Sequence, residues 1–422
     1  MSAPIPRGAP ETPSRPDDRP PLDPAVLRGE FPLLAANPDF AYLDSAATTQ
    51  KPGAVLDALD RFYRESNANV HRGLYPLAEK ATAAYEGARG EVAHFLGALA
   101  REVVWTRGTT ESINLVAQSW GRASLGPGDA VLLTGMEHHA GLVPWQILAA
   151  ERGFELRFLP FDARGELELE RLEALFEDGR VRLVGVVHGS NVLGTINPVE
   201  RIAAFAHERG ALVLVDAAQT VPHRRVDVRS LGADFLAFSG HKAYGPTGIG
   251  VLWAREALLE TMPPWQGGGD MILSVRLEKS TWNELPYKFE AGTPDIAGAV
   301  GLAAALRWLD SLGRDRIAEA ERSLTAYAVG RLAAVEGLRL LGEPDERGPL
   351  AAFDLEGVHP HDVAQFLGKE GLAVRSGHHC AQPVHRELGL AASARASFAV
   401  HTTRDEIDRL AEALVRCRRY FS

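Results

Sequence analysis

Cysteine and long apolar runs are both scarce in this sequence. Two of its 422 residues, Cys380 and Cys417, are cysteine, so a disulfide framework is excluded and thiol chemistry must come from one cysteine at a time. No stretch approaches the roughly 18 apolar residues of a membrane span, and the first residues lack the apolar segment of a secretory signal. We therefore expect a cytoplasmic protein whose residues 1–24, rich in Pro, Arg and Asp, form a disordered tail.

Excess positive charge is also missing. The formal net charge is -10, which argues against a sequence-independent grip on nucleic acid or on an anionic membrane. The composition, 45% hydrophobic and 24% charged, is that of an ordinary globular protein, and small molecules become the expected ligands. The length predicts two domains, or one large domain with a smaller companion.

Short apolar runs alternate with amphipathic stretches from Tyr42 to about Trp253, which predicts an α/β fold with a mostly parallel sheet. Residues 79–96 and 199–208 have the helical spacing of the crossover segments. The predicted buried strands are Val103 to Trp105, Ala130 to Leu133, Leu183 to Val187, Ala211 to Val215 and Phe235 to Phe238.

A second, α+β domain is predicted at the C-terminus. An Ala- and Leu-rich helix from Gly298 to Leu312 leads into it, and strands are expected at Leu350 to Leu355 and Ala396 to Val400. Thr403 and Glu406 have the spacing of a capping box before the last helix. We assign residues 38–307 to a large domain, and residues 25–37 and 308–422 to a small domain.

Two chemically complementary residues follow neighbouring predicted strands. Asp216 ends ALVLVD, and Lys242 follows DFLAFSGH, so both are expected at one carboxyl edge of the sheet. An acid there can keep a pyridine nitrogen protonated, and an amine can form a Schiff base with the aldehyde of pyridoxal phosphate. For either residue alone, a structural ion pair is an equally good interpretation.

The neighbouring motifs fit a phosphate and a ring. In RGTTESINLVA, Gly108, Thr109 and Thr110 open a helix with backbone amides suited to a phosphate, and Ser239 and His241 are further candidate donors. MEHHAG supplies His138 and His139, one of which could stack on the ring or simply cap a helix. Gln219 follows Asp216 by three residues, and Asn191 in SNVLGT is a donor or a turn residue.

These motifs together resemble those of class V aminotransferases, a family of fold-type I pyridoxal-phosphate enzymes, and within it the SufS-like cysteine desulfurases. The resemblance runs from YLDSAATTQKP at 42–52, through NVHRG, SGHKAYGPTGIG and FEAGTP, to RSGHHCAQP, and leaves out only the N-terminal tail. It implies roles for individual residues: Lys242 as the Schiff-base lysine, Asp216 at the pyridine nitrogen, Gln219 near the ring hydroxyl, His139 stacked on the ring, and Thr109, Thr110, Ser239 and His241 around the phosphate.

The resemblance also implies a homodimer in which Thr293 reaches the phosphate of the partner subunit's cofactor. Arg395 and Asn191 would bind the substrate carboxylate, and Ala46 and Arg375 complete the expected substrate site. Cys380 lies in a polar loop, with His378 and His379 available to stabilise its thiolate, whereas Cys417 has the helical phase of a buried residue.

The implied reaction converts L-cysteine to alanine and leaves a persulfide on Cys380 for an acceptor protein of the SufE or SufU type in iron–sulfur cluster assembly. A selenocysteine lyase would share every motif, and an aminotransferase would leave Cys380 idle. A zinc site at His378, His379 and Cys380 is disfavoured because adjacent loop residues rarely converge on one ion. Departures from the family pattern fall at Tyr75, Gly141, Asp295 and His401.

Overall fold

The large sheet of this protein is mostly parallel, as predicted. The structure, a computed structural model, describes residues 19–422. Within that range the sheet has seven strands, and Gly250–Ala254 alone runs antiparallel to its neighbours. In spatial order the strands are Val103–Thr106, Gly250–Ala254, Phe235–Ser239, Leu212–Asp216, Val181–Val187, Ala130–Thr134 and Glu155–Leu159.

Helices cover both faces of this sheet. Ile296–Leu312 packs on Gly53–Glu65 and Pro76–Leu96 over one face, and Thr109–Val116 packs on His139–Arg152 over the other. The remaining α-helices are Pro24–Arg28, Pro32–Ala35, Arg122–Ser124, Leu172–Phe176, Val199–Glu208, Glu256–Thr261, Arg314–Ala333, Pro360–Lys369, Gln382–Glu387 and Arg404–Phe421. Short 3₁₀ or π segments lie at Ala100–Glu102, Ala117–Gly121, Leu169–Arg171, Gly240–Lys242 and Tyr287–Phe289.

Strand residues divide between two cores because successive side chains point to opposite faces. Ala130 and Leu132 belong to the core beneath the Ile296–Leu312 helix, whereas Val131 and Leu133 belong to the core on the other face. This double burial explains why the strands are nearly continuous apolar runs. The five strand predictions are confirmed to within two residues at each end, and the Val199–Glu208 helix is confirmed at both ends.

A smaller antiparallel sheet forms the C-terminal part, in the order Leu338–Leu340, Leu350–Leu355, Ser393–Ser397 and Arg375–Gly377. The strand predicted at Ala396 to Val400 begins three residues earlier. The end of the predicted segment forms a turn instead, because the Ala399 amide donates to the Thr402 hydroxyl (3.0 Å). Thr403 and Glu406 form the predicted capping box.

The segment before the first strand contacts both parts of the chain. Phe31 and Leu34 belong to the core of the large sheet, whereas Phe31 also packs on the His401 ring and Arg28 pairs with Glu406 (2.7 Å). Ala41–Tyr42 pairs in parallel with Leu372–Ala373, and Leu43 lies in the small core. The division into domains remains a prediction.

The N-terminal tail was predicted to be disordered over residues 1–24. Residues 1–18 lie outside the described residues. Among residues 19–24, Arg19 donates to the Ser311 carbonyl (2.7 Å) and the first helix begins at Pro24, so the extent of a disordered tail stays a prediction.

Among residues 19–422, no single helix is long and apolar enough to cross a membrane. One pair of consecutive helices, Ile296–Leu312 and Arg314–Ala333, meets the length and composition criteria only when joined, and it is bent by 76°.

The carboxyl edge of the large sheet faces the small sheet across a cleft. Asp216 and Ser239 end two neighbouring strands of the large sheet, and Lys242 follows in a short 3₁₀ turn. From the opposite side, Arg375 and Arg395 are direct cross-strand partners in the small sheet. This arrangement places the chemistry-bearing residues of both parts around one space.

A buried ion pair ties the edge of the large sheet to its helical cover. Arg89 is 1% exposed and contacts Glu290 at 2.6 Å, which also accepts from the Trp105 amide (2.8 Å). Burial lowers the pKa of Arg89, but the Glu290 carboxylate and other neighbours outweigh burial and leave it raised well above its usual value. Glu86, the second carboxylate on Arg89, is about one-third exposed.

We predict that Glu290→Gln lowers the free energy of unfolding by about 3–5 kcal/mol, because it leaves the buried Arg89 charge without its main partner. Glu86→Gln is the matched control, with a loss of about 1 kcal/mol or less, since solvent screens that pair. Denaturant unfolding of both variants measures the difference. Equal losses would contradict the assignment of Glu290 as the principal partner.

Candidate active site

One cavity of about 180 Å³ collects most of the predicted site residues. Its wall contains Lys242, Asp216 and Cys380 together. The other predicted residues that line it are Ala46, Thr109, Thr110, His138, Asn191, Gln219, Ser239, His241, Arg375, His379 and Arg395. Four predicted residues are not in its wall: Gly108, His139, Thr293 and His378.

Lys242 has the electrostatic surroundings of a reactive amine. Burial lowers its pKa to about 8, and the positive charges of Arg395 and Arg375 act in the same direction. Asp216 and Cys380 raise the pKa, which locates both groups within electrostatic range of the amine. A substantial neutral fraction therefore exists slightly above neutral pH, as a nucleophilic lysine requires.

Asp216 is buried at the end of its strand. Its Oδ1 accepts from the Ala218 amide (2.9 Å), and burial raises the pKa of its carboxyl group while that hydrogen bond and Lys242 lower it. Gln219, one turn further, donates to the Ala46 carbonyl (2.8 Å) and so fixes the other side of the cavity. A buried acid of this kind is suited to a partner that carries a positive charge.

The phosphate candidates form a polar cradle. The Thr109 amide and hydroxyl contact Ser239 Oγ at 2.9 and 2.8 Å, at the N-terminus of the eight-residue helix Thr109–Val116. Gly108 has φ +155°, and a Cβ there would lie 3.1 Å from Ser239 Oγ, so glycine leaves this approach open. Amides and hydroxyls at a helix N-terminus are the donors that phosphate groups bind.

His138, rather than His139, faces the cavity. The His138 ring also caps the helix His139–Arg152 by accepting from the Ala140 amide (3.0 Å). Burial, and then the charge of Lys242, lowers the pKa of His138 to about 3, so the ring is neutral. The cavity wall therefore contains His138 and not the predicted His139, because His138 caps the helix and His139 is its first residue.

His139 instead holds the loop that carries the thiol. Its amide donates to the Cys380 carbonyl (2.7 Å), and its Nε2 accepts from the Gln382 amide (3.1 Å). Asn191 Nδ2 donates to the His379 carbonyl (2.5 Å) on the other side. These contacts stabilise the left-handed conformations of His379 (φ 50°) and Cys380 (φ 58°), which are uncommon for residues other than glycine.

His379 lines the same cavity as Cys380, but a neutral ring does not supply the charge that the predicted stabilisation of the thiolate requires. His379 is buried, and its Nε2 contacts Ser393 Oγ (3.0 Å), which also contacts His385 (2.9 Å). Burial and nearby positive charges lower the pKa of His379 strongly, so its ring is neutral. Cys380 itself is exposed at the cavity, whereas Cys417 is buried in the small core, as predicted.

Arg395 and Arg375 lie side by side on antiparallel strands at the cavity wall. Arg395 is 2% exposed and donates to the Asn191 carbonyl (2.8 Å) and to Asp44 Oδ1 (3.2 Å). Its Nε and the Asn191 Oδ1 have no partner among the described residues. Asp44 was not among the predicted site residues, although its place in the motif YLDSAATT, just after a strand, is a signal for a residue of this kind.

The residues of this cavity fit pyridoxal phosphate. An amine with a lowered pKa, a buried acid and a cradle of hydroxyls and amides match the aldehyde, the ring nitrogen and the phosphate. Thr293 is exposed on the surface and reaches no part of its own chain's cavity, so its predicted contact with a partner subunit stays a prediction.

Comparison with known proteins agrees with this geometry. The family model "Aminotransferase class-V" matches residues 41–410. A "Probable cysteine desulfurase" of Halalkalibacterium halodurans is 51% identical over 93% of this chain and 97% of its own length. A "Cysteine desulfurase" of Haloferax volcanii is 46% identical over 95% of this chain and 98% of its own length.

Solved structures give the same result. The cysteine desulfurase CsdA of Escherichia coli, in an S-sulfonic acid form, has a TM-score of 0.89 and 43% identity, covering 95% of this chain and 99% of that one. The apo cysteine desulfurase of Thermococcus onnurineus NA1 has a TM-score of 0.90 and 40% identity, with coverage of 94% and 98%. This chain therefore belongs to the cysteine desulfurases of the class V aminotransferase family, which are pyridoxal-phosphate enzymes.

Proposed function

We propose that this enzyme converts L-cysteine to L-alanine and takes the released sulfur as a persulfide on Cys380. One observation carries the proposal: a single cavity is lined by the Lys242 amine, the Asp216 carboxyl group and the Cys380 thiol. A transaminase would need the first two groups but not the thiol. Cys380 is also the exposed cysteine of the pair, which leaves its sulfur free to pass to another protein.

The cofactor is held by Lys242 at its aldehyde and by Asp216 at its ring nitrogen in this proposal. His138 stacks on the ring, in place of the His139 of the original prediction, and Gln219 lies near the ring hydroxyl. Thr109, Thr110, Ser239 and His241 bind the phosphate. The chemistry that bound pyridoxal phosphate supplies is an electron sink for the negative charge that develops at the substrate Cα.

The substrate carboxylate binds to Arg395 and Arg375 in this proposal. Their guanidinium groups are cross-strand neighbours, and Asp44 compensates only part of their charge. Two donors are available to orient an incoming carboxylate: Arg395 Nε, which has no partner among the described residues, and the second N–H of Asn191 Nδ2. Charge-assisted, bidentate contacts of this kind fix the amino acid with its Cα near Lys242 and its sulfur near Cys380.

Two residues then carry the reaction. The neutral Lys242 amine removes the Cα proton. The Cys380 thiolate attacks the substrate sulfur, so that an S–S bond forms as the Cβ–S bond breaks. The electron pair of the broken bond stays with the carbon fragment, which becomes alanine after protonation. The sulfur is then passed from the Cys380 persulfide to an acceptor protein of the SufE or SufU type for iron–sulfur cluster assembly.

A homodimer is also part of the proposal. Leu273, Val275 and Leu277, in the hairpin Ile272–Val275/Ser280–Trp282 and its turn, and Leu74 expose most of their apolar surface, which a monomer rarely does in one region. The two segments are linked by an ion pair between Arg72 and Asp270 (2.7 Å). A second copy seated here would receive Thr293, which is exposed on the adjoining loop.

Cys380→Ser is expected to leave the absorption band of bound cofactor unchanged but to abolish turnover, because serine cannot accept a sulfur atom. Alanine and sulfide release from L-cysteine measure the loss, which should exceed roughly a hundredfold. Cys417→Ser, in the small core, is the control and should keep the rate. Normal turnover by Cys380→Ser would refute the role of this thiol.

Lys242→Ala is expected to lose the absorption band of the Schiff base between protein and cofactor. For the wild-type chain, recovery of that band after adding pyridoxal phosphate to cofactor-free protein should accelerate as pH rises toward about 8 and then level off. The direction follows because the neutral amine is the nucleophile and its population grows up to the pKa. An unchanged band in Lys242→Ala would mean that another lysine binds the cofactor.

His138→Asn and His139→Asn separate the two histidines. Asparagine keeps the helix cap but removes the ring, so His138→Asn should shift the cofactor band and weaken cofactor retention several-fold. His139→Asn should leave the band in place and lower turnover instead. The His139 ring accepts a hydrogen bond from the Gln382 amide and so helps to hold the loop that carries Cys380. Absorbance and dialysis experiments distinguish them, and the reverse pattern would restore His139 to the ring.

A further inference from the structure

Lys51 lies behind the cavity wall, against the peptide that joins His241 to Lys242. Its Nζ donates to the His241 carbonyl (2.9 Å) and to the Thr49 carbonyl (2.6 Å). Lys51 is not among the residues that line the cavity, and none of the steps proposed above uses it. It belongs to the motif ATTQKP, just before the helix Gly53–Glu65 that covers one face of the large sheet.

Several donors of the segment Thr48–Lys51 form hydrogen bonds to the carbonyl oxygen of His241. The Thr48 hydroxyl (3.1 Å), the Thr49 amide (3.0 Å) and the Thr49 hydroxyl (3.0 Å) donate to the same oxygen as Lys51. Thr49 Oγ1 in turn accepts from the Tyr244 amide (2.9 Å). The backbone on both sides of Lys242 is therefore fixed by one short segment from a distant part of the sequence.

The charge of Lys51 has no counter-ion in the described part of the chain. Within residues 19–422 it makes no ion pair, and its Nζ contacts only carbonyl and hydroxyl oxygens. Burial lowers the pKa of Lys51 to about 8, so near neutral pH the group is still mostly a cation. A partly buried cation without an anion is costly, and an anionic ligand nearby would offset that cost.

Lys51 affects the pKa of His241, a residue of the cavity wall. Burial, then Lys242, then Lys51 lower the pKa of His241 to about 4, so its ring is neutral. His241 lines the cavity beside Ser239, whose hydroxyl is bonded to Thr109. The positive charge of Lys51 therefore acts on His241, which lines the cavity together with the hydroxyl-bearing residues Thr109 and Ser239.

We propose that Lys51 is a positioning residue for the phosphate group of the cofactor: it fixes His241 and places an uncompensated positive charge behind the phosphate cradle. This inference rests on the proposed function, because it assumes that the cradle of Thr109, Ser239 and His241 receives a phosphate. It differs from a purely structural role, which would act on any ligand of the cavity alike.

The test compares two ligands that differ only in the phosphate. Pyridoxamine 5′-phosphate and pyridoxamine both lack the aldehyde, so neither forms a covalent bond with Lys242. Their dissociation constants are measured by calorimetry on the full-length, cofactor-free protein. Lys51→Met should weaken pyridoxamine 5′-phosphate roughly tenfold, the size expected for loss of a charged hydrogen bond, and leave pyridoxamine unchanged. Lys51→Arg, which keeps the charge, should restore most of the affinity.

Lys288→Met is the matched control. Lys288 is also a buried lysine with a lowered pKa, and its Nζ donates to one backbone carbonyl, that of Glu260 (3.0 Å), away from the cavity. It should lower stability without changing either dissociation constant. If Lys51→Met does not fold, Lys51→Gln, which keeps a donor but not the charge, is measured with the same expectation.

The outcomes separate this inference from the proposed function. Equal weakening of both ligands, or of neither, would overturn the role of Lys51 at the phosphate. If the wild-type chain bound neither pyridoxal phosphate nor its amine form, the proposed function itself would fail. Selective weakening of the phosphorylated ligand in Lys51→Met, but not in Lys288→Met, is the result expected.

Discussion

The hydrogen bonds that join the Cys380 loop to the edge of the large sheet make this one site rather than two. The His139 amide and the Asn191 side chain hold consecutive carbonyls of the loop, those of Cys380 and His379. Without them, two residues in uncommon left-handed conformations would relax toward ordinary backbone angles. The thiol would then leave the wall that it shares with Lys242, and the amine and the sulfur acceptor would no longer face the same space.

The charged side chains in the cavity also come from both sheets. The large sheet contributes Lys242 and Asp216, whereas the small sheet contributes the neighbouring Arg375 and Arg395. Cations therefore outnumber carboxylates among the described lining residues, which suits ligands that carry a carboxylate and a phosphate. The histidines around it, such as His138 and His241, are kept neutral by burial and by these cations, so they act as flat polar surfaces and not as additional charges.

Much of this was predictable from the sequence because strand ends carry strong local signals. Asp216 ends one apolar run and Lys242 follows the next, both runs form buried strands, and parallel strands end at the same edge of a sheet. The choice between His138 and His139 was not predictable in the same way, since it depends on which ring caps the helix. The contact of the His379 ring with Ser393 was likewise not predictable, because the two residues lie 14 positions apart in the sequence and are brought together by the fold. Lys51 shows the same limit, because its partner carbonyl lies 190 residues away.

In the proposed reaction, sulfur from L-cysteine arrives at one thiol of this chain, that of Cys380, in the cavity that also contains Lys242. The most direct measurement is peptide mass spectrometry of the full-length enzyme, loaded with pyridoxal phosphate and briefly exposed to sulfur-labelled L-cysteine without reductant. We expect one labelled sulfur atom on the peptide that contains Cys380, in equal amount to the alanine formed, and none on the peptide that contains Cys417. Alanine formed without label on Cys380, or label on Cys417 instead, would contradict the account.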